Sequence, residues 1–179
     1  MKFEKVLEGR RSIRRYKEKP IEADDIHKIL KSASLAPSWK NSQCPRWYVV
    51  TNDQLLEELR ENALPEFNRK NSQNAPCLIV ACFENGKSGL GNDGEYANEC
   101  KEGWSYFDLG LAVENLCLEA FHLGYGTLIM GIRNADVIRS VLKIPEEQTI
   151  VAVIALGVAG IEPEKPKRLK LKQTTVFFD

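Results

Sequence analysis

The order of apolar and polar positions along the chain predicts alternating helices and strands. In residues 104–123, apolar side chains recur every three or four positions, the period of a helix that buries one face. Continuous apolar runs at 77–83 and 150–156 are typical of strands that are buried on both sides. The predicted helices are residues 3–8, 22–36, 53–62, 104–123 and 134–142, and the predicted strands are residues 47–51, 77–83, 125–132 and 150–156. This succession predicts a single α/β or α+β domain.

Polar segments separate or follow these elements. Residues 84–103 contain five glycines and are predicted to form a mobile loop. From residue 162 the chain is rich in Pro and Lys, yet it ends in the apolar residues Val176, Phe177 and Phe178. This tail has no local core to join. It is expected either to pair with a sheet edge, of its own subunit or a partner's, or to lie in solvent.

Composition adds a charge pattern that the zero net charge conceals. Residues 1–20 hold eight bases and three acids, for a net charge of +5. Residues 161–179 carry +2, and the 140 residues between them carry −7. The balance argues against a general nucleic-acid binder, which needs a positively charged face. It permits a small anionic ligand that both chain ends would grip.

The chain also lacks signals for membranes or secretion. Its longest apolar run, near residues 150–158, is far shorter than the roughly 20 residues that span a bilayer. The basic N-terminus has no apolar stretch of the kind found in secretory signals. Five cysteines without a CxxC pair are expected to be reduced thiols. A cytoplasmic protein without a membrane partner is therefore expected.

Several catalytic patterns can be set aside. Residues 89–94 match the glycine pattern GxGxxG, but no strand ends directly before it and no helical apolar stripe follows, which favours a flexible loop. The two histidines, His27 and His122, stand in predicted helices with no GxSxG element or metal-ligand cluster nearby. Neither triad nor metal chemistry is predicted.

Two segments remain as candidates for chemistry. Residues 10–16, RRSIRRY, place four arginines and a serine within six positions. Guanidinium groups and a hydroxyl suit a phosphate, although a solvated basic surface explains the segment equally well. Residues 36–47 combine short polar side chains with two tryptophans. They could bind a polyol and cover a flat ring, or form an irregular loop around one core tryptophan.

Taken together, these segments resemble the FMN-dependent nitroreductase family along nearly the whole chain. RRSIRRY is similar to the family's RRSxRxY signature, and residues 36–47 are similar to its APSxxNxQPW element. Asp108 and the LGYG sequence at 123–126 resemble the opening and the end of its central helix. Further similar stretches are residues 128–131, 144–157 and 167–168.

The resemblance implies an α+β fold with a central mixed, mostly antiparallel sheet flanked by helices. It also implies a homodimer, in which FMN lies at the subunit interface and the tail of residues 162–179 packs on the partner. The cofactor-binding residues that it implies are Arg10, Arg11, Ser12, Arg14, Pro37, Ser38, Trp39, Asn41, Asn68, Leu128, Ile129, Met130, Gly131 and Arg168. Arg10 and Arg168 would then be neighbours, and Pro37–Asn41 would come from the second subunit.

The implied activity is ping-pong hydride transfer from NADH or NADPH, through flavin N5, to a nitroaromatic, quinone or similar acceptor. Arg14 would lie near flavin N1, and the backbone of Met130 or Gly131 would face N5, so no catalytic side chain is implied. Trp39 is bulky for its position and could narrow the entrance. The alternatives are a flavoprotein of the same fold with another reaction (flavin breakdown, dehalogenation or ring oxidation) and a non-catalytic basic-tailed binding domain.

Overall fold

Four antiparallel strands form the centre of the protein in a computed structural model that describes residues 1–178. The strands are β1 (Pro45–Val50), β2 (Cys77–Glu84), β3 (Gly126–Met130) and β4 (Gln148–Gly157), in the spatial order β1-β2-β4-β3. A parallel bridge between Ser12 and Thr127 places part of residues 10–16, called the basic segment below, beside β3. The expected α+β class is confirmed.

Six α-helices flank this sheet in the described part of the chain. They are α1 (Phe3–Gly9), α2 (Ala23–Ser34), α3 (Asp53–Ala63), α4 (Glu66–Ser72), α5 (Gly103–His122) and α6 (Ala135–Leu142). Five were predicted with bounds that differ by at most two residues. Helix α4 was not predicted, because its sequence EFNRKNS carries no apolar stripe and its buried side chains, Asn68 and Ser72, are polar. Short 3-10 helices lie at Trp39–Asn41 and Leu171–Gln173.

The sheet separates two hydrophobic cores. Strand β2 shows why, since alternate side chains point to opposite faces. Leu78, Val80 and Cys82 pack with residues of α3 and α6, whereas Ile79 and Phe83 pack with residues of α2 and α5. The continuous apolar run of β2 is thus the signature of a strand that is covered on both faces. Within residues 1–178, no helix is long and apolar enough to cross a membrane.

Specific hydrogen bonds define the end of α5 and the start of α6. Gly124 follows α5 with φ +92°, a conformation that a side chain disfavours. Its N–H donates to the Phe121 carbonyl and the Tyr125 N–H donates to the Ala120 carbonyl, which is the Schellman arrangement. At the start of α6, the Asn134 side chain accepts a hydrogen bond from the Val137 N–H at 3.2 Å.

The basic segment is anchored along the sheet by its two apolar members. Ile13 and Tyr16 are buried, and the Ile13 N–H donates to the Thr127 carbonyl at 2.9 Å. The Tyr16 hydroxyl donates to the Ala155 carbonyl, and burial raises the pKa of its phenol. With Ile13 and Tyr16 directed inward, the arginines between and beside them are left at the surface.

The loop of residues 84–103 and the tail after residue 162 make different contacts with the rest of the chain. Residues 84–103 carry a bridge between Leu90 and Tyr96, and no helix begins after Gly94 until α5, so the GxGxxG pattern forms no dinucleotide fingerprint. The mobility of this loop stays a prediction. In the described tail, Val176, Phe177 and Phe178 are 75%, 73% and 95% exposed and pair with no strand of residues 1–178. Its packing on a partner also stays a prediction.

Burial predicts very different reactivity for the cysteines. Burial raises the pKa of Cys77 and of Cys82 to about 12 and that of Cys117 to about 11, and it also raises the pKa of Cys44, whereas Cys100 is exposed. At pH 8 we expect one thiol to react quickly with a chromogenic disulfide in the native protein, and all five to react in guanidinium. Loss of the fast phase in Cys100→Ser would identify it, and two or more fast thiols would contradict the burial.

Candidate functional site

A cleft of about 280 Å³ brings the two basic chain ends together. Its lining combines cationic side chains with a serine and a proline-rich stretch of the tail. The lining residues are Arg10, Arg11, Ser12, Arg14, Pro163, Glu164, Pro166 and Arg168. We refer to it below as the basic cleft. Arg10 and Arg168 therefore line the same cleft, in agreement with what the family resemblance implies.

The arginines of the basic cleft are held in different ways. Arg10 lies 3.6 Å from the carboxylate of Glu114 on α5, measured from Nε to Oε1. Arg11 donates to the Glu8 and Arg10 carbonyls at 2.7 Å, so it also caps the end of α1. Arg14 is exposed and makes a long contact of 3.4 Å to the Ser12 carbonyl. Arg10 and Arg14 thus have guanidinium donors available to a ligand in the cleft.

The end of β3 forms a second part of the candidate site. Leu128 and Met130 are buried in the core, whereas Ile129 is 49% exposed and Gly131 is exposed after the strand. The Asn68 side-chain amide of α4 donates to the Ile132 carbonyl at 2.9 Å. Asn68 thereby fixes the backbone that leaves β3. The predicted strand residues and Asn68 are brought together, although they are in different elements.

Arg133 also fixes this backbone and was not predicted. It donates to the Gly131 carbonyl at 3.3 Å and, through its other terminal nitrogen, to the Ile150 carbonyl on β4. No sequence signal marks this role, because the two acceptors lie 19 positions apart and are backbone atoms. Asn68 and Arg133 together give the loop after β3 a defined path.

The segment Pro37–Asn41 does not lie in the basic cleft. Pro37 and Ser38 line a separate pocket of about 240 Å³, together with Gln43, Trp47 and Asp108. Trp39 and Asn41 belong to the 3-10 helix that follows. Within one chain, these four predicted residues do not line the basic cleft.

Asp108 organises this second segment. It is 2% exposed, and its carboxylate accepts the Trp39 N–H at 3.0 and 3.2 Å and the Ser42 and Ser88 hydroxyls at 3.3 and 2.6 Å. The sequence marked Asp108 only as part of the resemblance.

The donor set of the basic cleft fits a phosphate group. Guanidinium groups make paired, charge-assisted hydrogen bonds to phosphate oxygens, and a hydroxyl can add a neutral donor. Three arginines besides Arg11 face the cleft, against one acidic residue, Glu164. Among residues 1–178, no group of three His, Cys, Asp or Glu side chains could hold a metal ion. A phosphate-bearing ligand is the class that the donors of the basic cleft suit.

Comparison with known proteins gives one consistent family. The profile described as "Nitroreductase family" matches residues 7–158. A relative from Archaeoglobus fulgidus, provisionally named NADH dehydrogenase/NAD(P)H nitroreductase, is 32% identical over 162 residues, covering 86% of this chain and 83% of the relative. The 5,6-dimethylbenzimidazole synthase of Rhodospirillum rubrum is 25% identical over 171 residues, covering 85% and 79%.

A solved structure supports the same placement. The FMN-dependent nitroreductase of Clostridium difficile R20291 aligns with a TM-score of 0.75 and 28% sequence identity. The alignment covers 97% of each chain. The likeness therefore extends over the sheet, both helical layers and nearly all of the tail.

Proposed function

This chain belongs to the nitroreductase family, and from that premise we propose that it is an FMN-dependent NAD(P)H oxidoreductase. The acceptors that we propose are nitroaromatics, quinones and similar electron-poor molecules. The observation that carries the proposal is the basic cleft, in which Arg10 and Arg168 meet from opposite ends of the chain.

The phosphate of FMN is proposed to lie in the basic cleft. Arg10 and Arg168 would neutralise its charge from two sides, and Ser12 would supply a hydroxyl donor. Glu114, 3.6 Å from Arg10, restricts the position of that guanidinium before a ligand arrives. Arg11 would contribute less, since it already caps α1.

The remaining part of FMN is proposed to lie towards the end of β3. When bound, FMN supplies the hydride chemistry, and the protein supplies orientation and charge. Arg14 would place a cation near N1 and O2 of the ring, and the backbone of Met130 and Gly131 would face N5. The contacts of Asn68 and Arg133 with the loop after β3 support this role, because they fix the backbone that has to be oriented.

We further propose a cytoplasmic homodimer in which Pro37–Asn41 contributes to the partner's flavin site. The position of this segment supports that view, because within one chain Pro37 and Ser38 line a separate pocket and the segment does not line the basic cleft. The exposed Val176, Phe177 and Phe178 of the tail would be covered by the second subunit.

Shortening the tail tests the dimer. We expect removal of residues 174–179 to raise the dimer dissociation constant by about a hundredfold or more, because burying a phenylalanine contributes about 1.5–3 kcal/mol. Sedimentation velocity over a range of concentrations measures this. Lys172→Ala, a polar change in the same tail, is the control and should leave the constant within about twofold. An unchanged dimer after truncation would contradict the packing of the tail.

An anaerobic absorbance experiment tests the proposed activity. The purified protein is loaded with FMN, and NADH or NADPH is added without oxygen. We expect the flavin absorbance near 450 nm to bleach and to return when p-benzoquinone or a nitroaromatic is added, with parallel initial-rate plots for the ping-pong sequence. Failure of both nicotinamides to bleach bound FMN would reject the proposal.

One alternative has a specific observation in its favour. The Rhodospirillum rubrum relative is a 5,6-dimethylbenzimidazole synthase, a different activity within the same family. If this chain shares that activity, reduced FMN would be consumed in the presence of oxygen to give 5,6-dimethylbenzimidazole, which mass spectrometry would detect. A non-catalytic basic-tailed domain would bind no FMN at all.

A further inference from the structure

The carboxylate of Asp108 is buried without a cationic partner. It is 2% exposed, and the groups that donate to it are neutral: the Trp39 N–H, the hydroxyls of Ser42 and Ser88, and more weakly the Cys44 thiol at 3.9 Å. Among residues 1–178, Asp108 forms no ion pair. A buried carboxylate costs free energy unless several donors satisfy it. Moving the donor groups away from Asp108 would therefore be unfavourable.

One of the segments around Asp108 has an unusual backbone. Lys40, Asn41 and Gln43 have φ angles of 46°, 56° and 48°. Left-handed conformations are uncommon for residues with a side chain, and they persist where the surroundings hold them. The Trp39 N–H and the Ser42 hydroxyl, which bind Asp108, bracket two of these three residues. The carboxylate therefore holds a shape that the segment would not favour by itself.

The other segment is the loop 88–98. The Ser88 hydroxyl donates to Asp108 at 2.6 Å, and Ser88 is fully buried. Two more contacts join this loop to the segment Ser38–Cys44, which contains the left-handed residues. The Trp39 indole N–H donates to the Leu90 carbonyl at 2.8 Å, and the Lys40 ammonium donates to the Asn92 side chain at 2.8 Å. Asp108 is the group that accepts hydrogen bonds from both segments.

We propose that Asp108 is a positioning residue that locks the segment Ser38–Cys44 to the loop 88–98, and that the lock sets both the affinity for FMN and the KM of the electron acceptor. This inference rests on the proposed function, in which Pro37–Asn41 contacts the flavin of the partner. The bulky Trp39 is the side chain through which the lock acts. Its backbone is held by Asp108, its indole by Leu90, and its ring lies 4.7 Å from that of Trp104, between centroids.

The hydrogen bonds from Asp108 to the segment Ser38–Cys44 and to the loop 88–98 predict different effects on FMN affinity and on the acceptor KM. Asp108→Asn keeps the size of the side chain but removes the charge and turns one acceptor into a donor that faces other donors. We expect about a tenfold rise in the FMN dissociation constant and a several-fold rise in the acceptor KM. Ser88→Ala releases only the loop, so we expect the KM to rise several-fold while FMN affinity changes by less than about twofold. In both variants kcat should stay close to the wild-type value.

A second readout needs no bound flavin. The Trp39 amide proton is held by Asp108, so native-state hydrogen exchange in the apo-protein should show it protected in the wild type. We expect Asp108→Asn to lose at least tenfold of that protection. If this variant fails to fold, Ser42→Ala, which removes one donor from the carboxylate on the segment side, should show the same direction with a smaller change.

Asn115→Ala is the matched control. Asn115 lies on the same helix α5, but its side-chain amide donates to the Ser32 carbonyl at 3.3 Å rather than to Asp108. It should lower the melting temperature without changing FMN affinity, acceptor KM or Trp39 exchange. A structural role alone would make the FMN and KM changes follow the melting temperature in both variants, and that result would overturn the inference.

The failure of this inference can be told apart from failure of the proposed function. Wild-type affinity and KM in Asp108→Asn, in a protein that binds and reduces FMN, would reject the lock and leave the function intact. A wild-type chain that binds no FMN would reject the function and the affinity claim with it. In that case, unchanged Trp39 exchange in Asp108→Asn would reject the lock separately.

Discussion

Replacing Arg10 and Arg168 together with alanine is expected to weaken FMN binding by at least a hundredfold. Both side chains line the basic cleft, and each charge-assisted hydrogen bond to phosphate contributes about 1.5–3 kcal/mol, or roughly a tenfold to hundredfold factor. Because both would bind the same phosphate, the two single changes need not add. Flavin fluorescence titration at fixed ionic strength measures the dissociation constants.

Riboflavin provides the sharpest control for this experiment, since it lacks the phosphate. The affinity for riboflavin should be nearly equal in the wild type and the double variant, so that the loss is confined to FMN. Arg15→Ala changes an exposed arginine of the same segment that does not line the cleft, and it should leave FMN affinity within about threefold. If the double variant lost riboflavin and FMN equally, the cleft would not be the phosphate site.

Gly126→Ala is expected to damage both the fold and the cofactor site. A Cβ at Gly126 would lie 2.4 Å from Cγ1 and 3.0 Å from Cβ of Ile13, which is β-branched and buried. The strain should destabilise the protein by about 1–3 kcal/mol. For a chain of this size, that lowers the melting temperature by about 2–4 °C for each kcal/mol. It should also push the basic segment away from β3 and weaken FMN binding about tenfold or more.

A rescue variant separates this explanation from a general loss of stability. Ile13→Ala in the Gly126→Ala background removes Cγ1 and Cγ2, which would lie 2.4 and 3.3 Å from the new Cβ. It should recover part of the FMN affinity, although Ile13→Ala alone is destabilising. Gly103→Ala is the control, because its Cβ would meet only an ordinary contact of 3.9 Å. Normal FMN affinity in Gly126→Ala would show that FMN binding does not depend on the packing of the basic segment against β3.

Local patterns predicted the fold well where one property repeats along the chain. The stripe of α5 and the continuous run of β2 each reflect burial against neighbouring layers, which the spacing of apolar residues records directly. Helix α4 was not predicted, because its buried residues Asn68 and Ser72 are polar and donate hydrogen bonds to backbone carbonyls. Polar burial leaves no periodic signal.

The candidate site was predictable in its chemistry and only partly in its geometry. The resemblance to the nitroreductase family paired Arg10 with Arg168, and both residues line one cleft in the structure. The lock around Asp108 could not be predicted. It joins groups from the helix and two loops, and the hydrogen bonds between them depend on the path of the backbone, which residue types do not specify.

The sequence by itself determined the four strands, every helix except α4, the faces that they bury and the kind of ligand that the arginines suit. These are properties of spacing and of side-chain chemistry, and they are local. Only the tertiary structure decided that the two basic ends share one cleft, that Asn68 and Arg133 fix the end of β3, and that Asp108 holds a strained segment against a glycine-rich loop. Each of these is a contact between distant residues, and such contacts exist only once the whole chain has folded around its sheet.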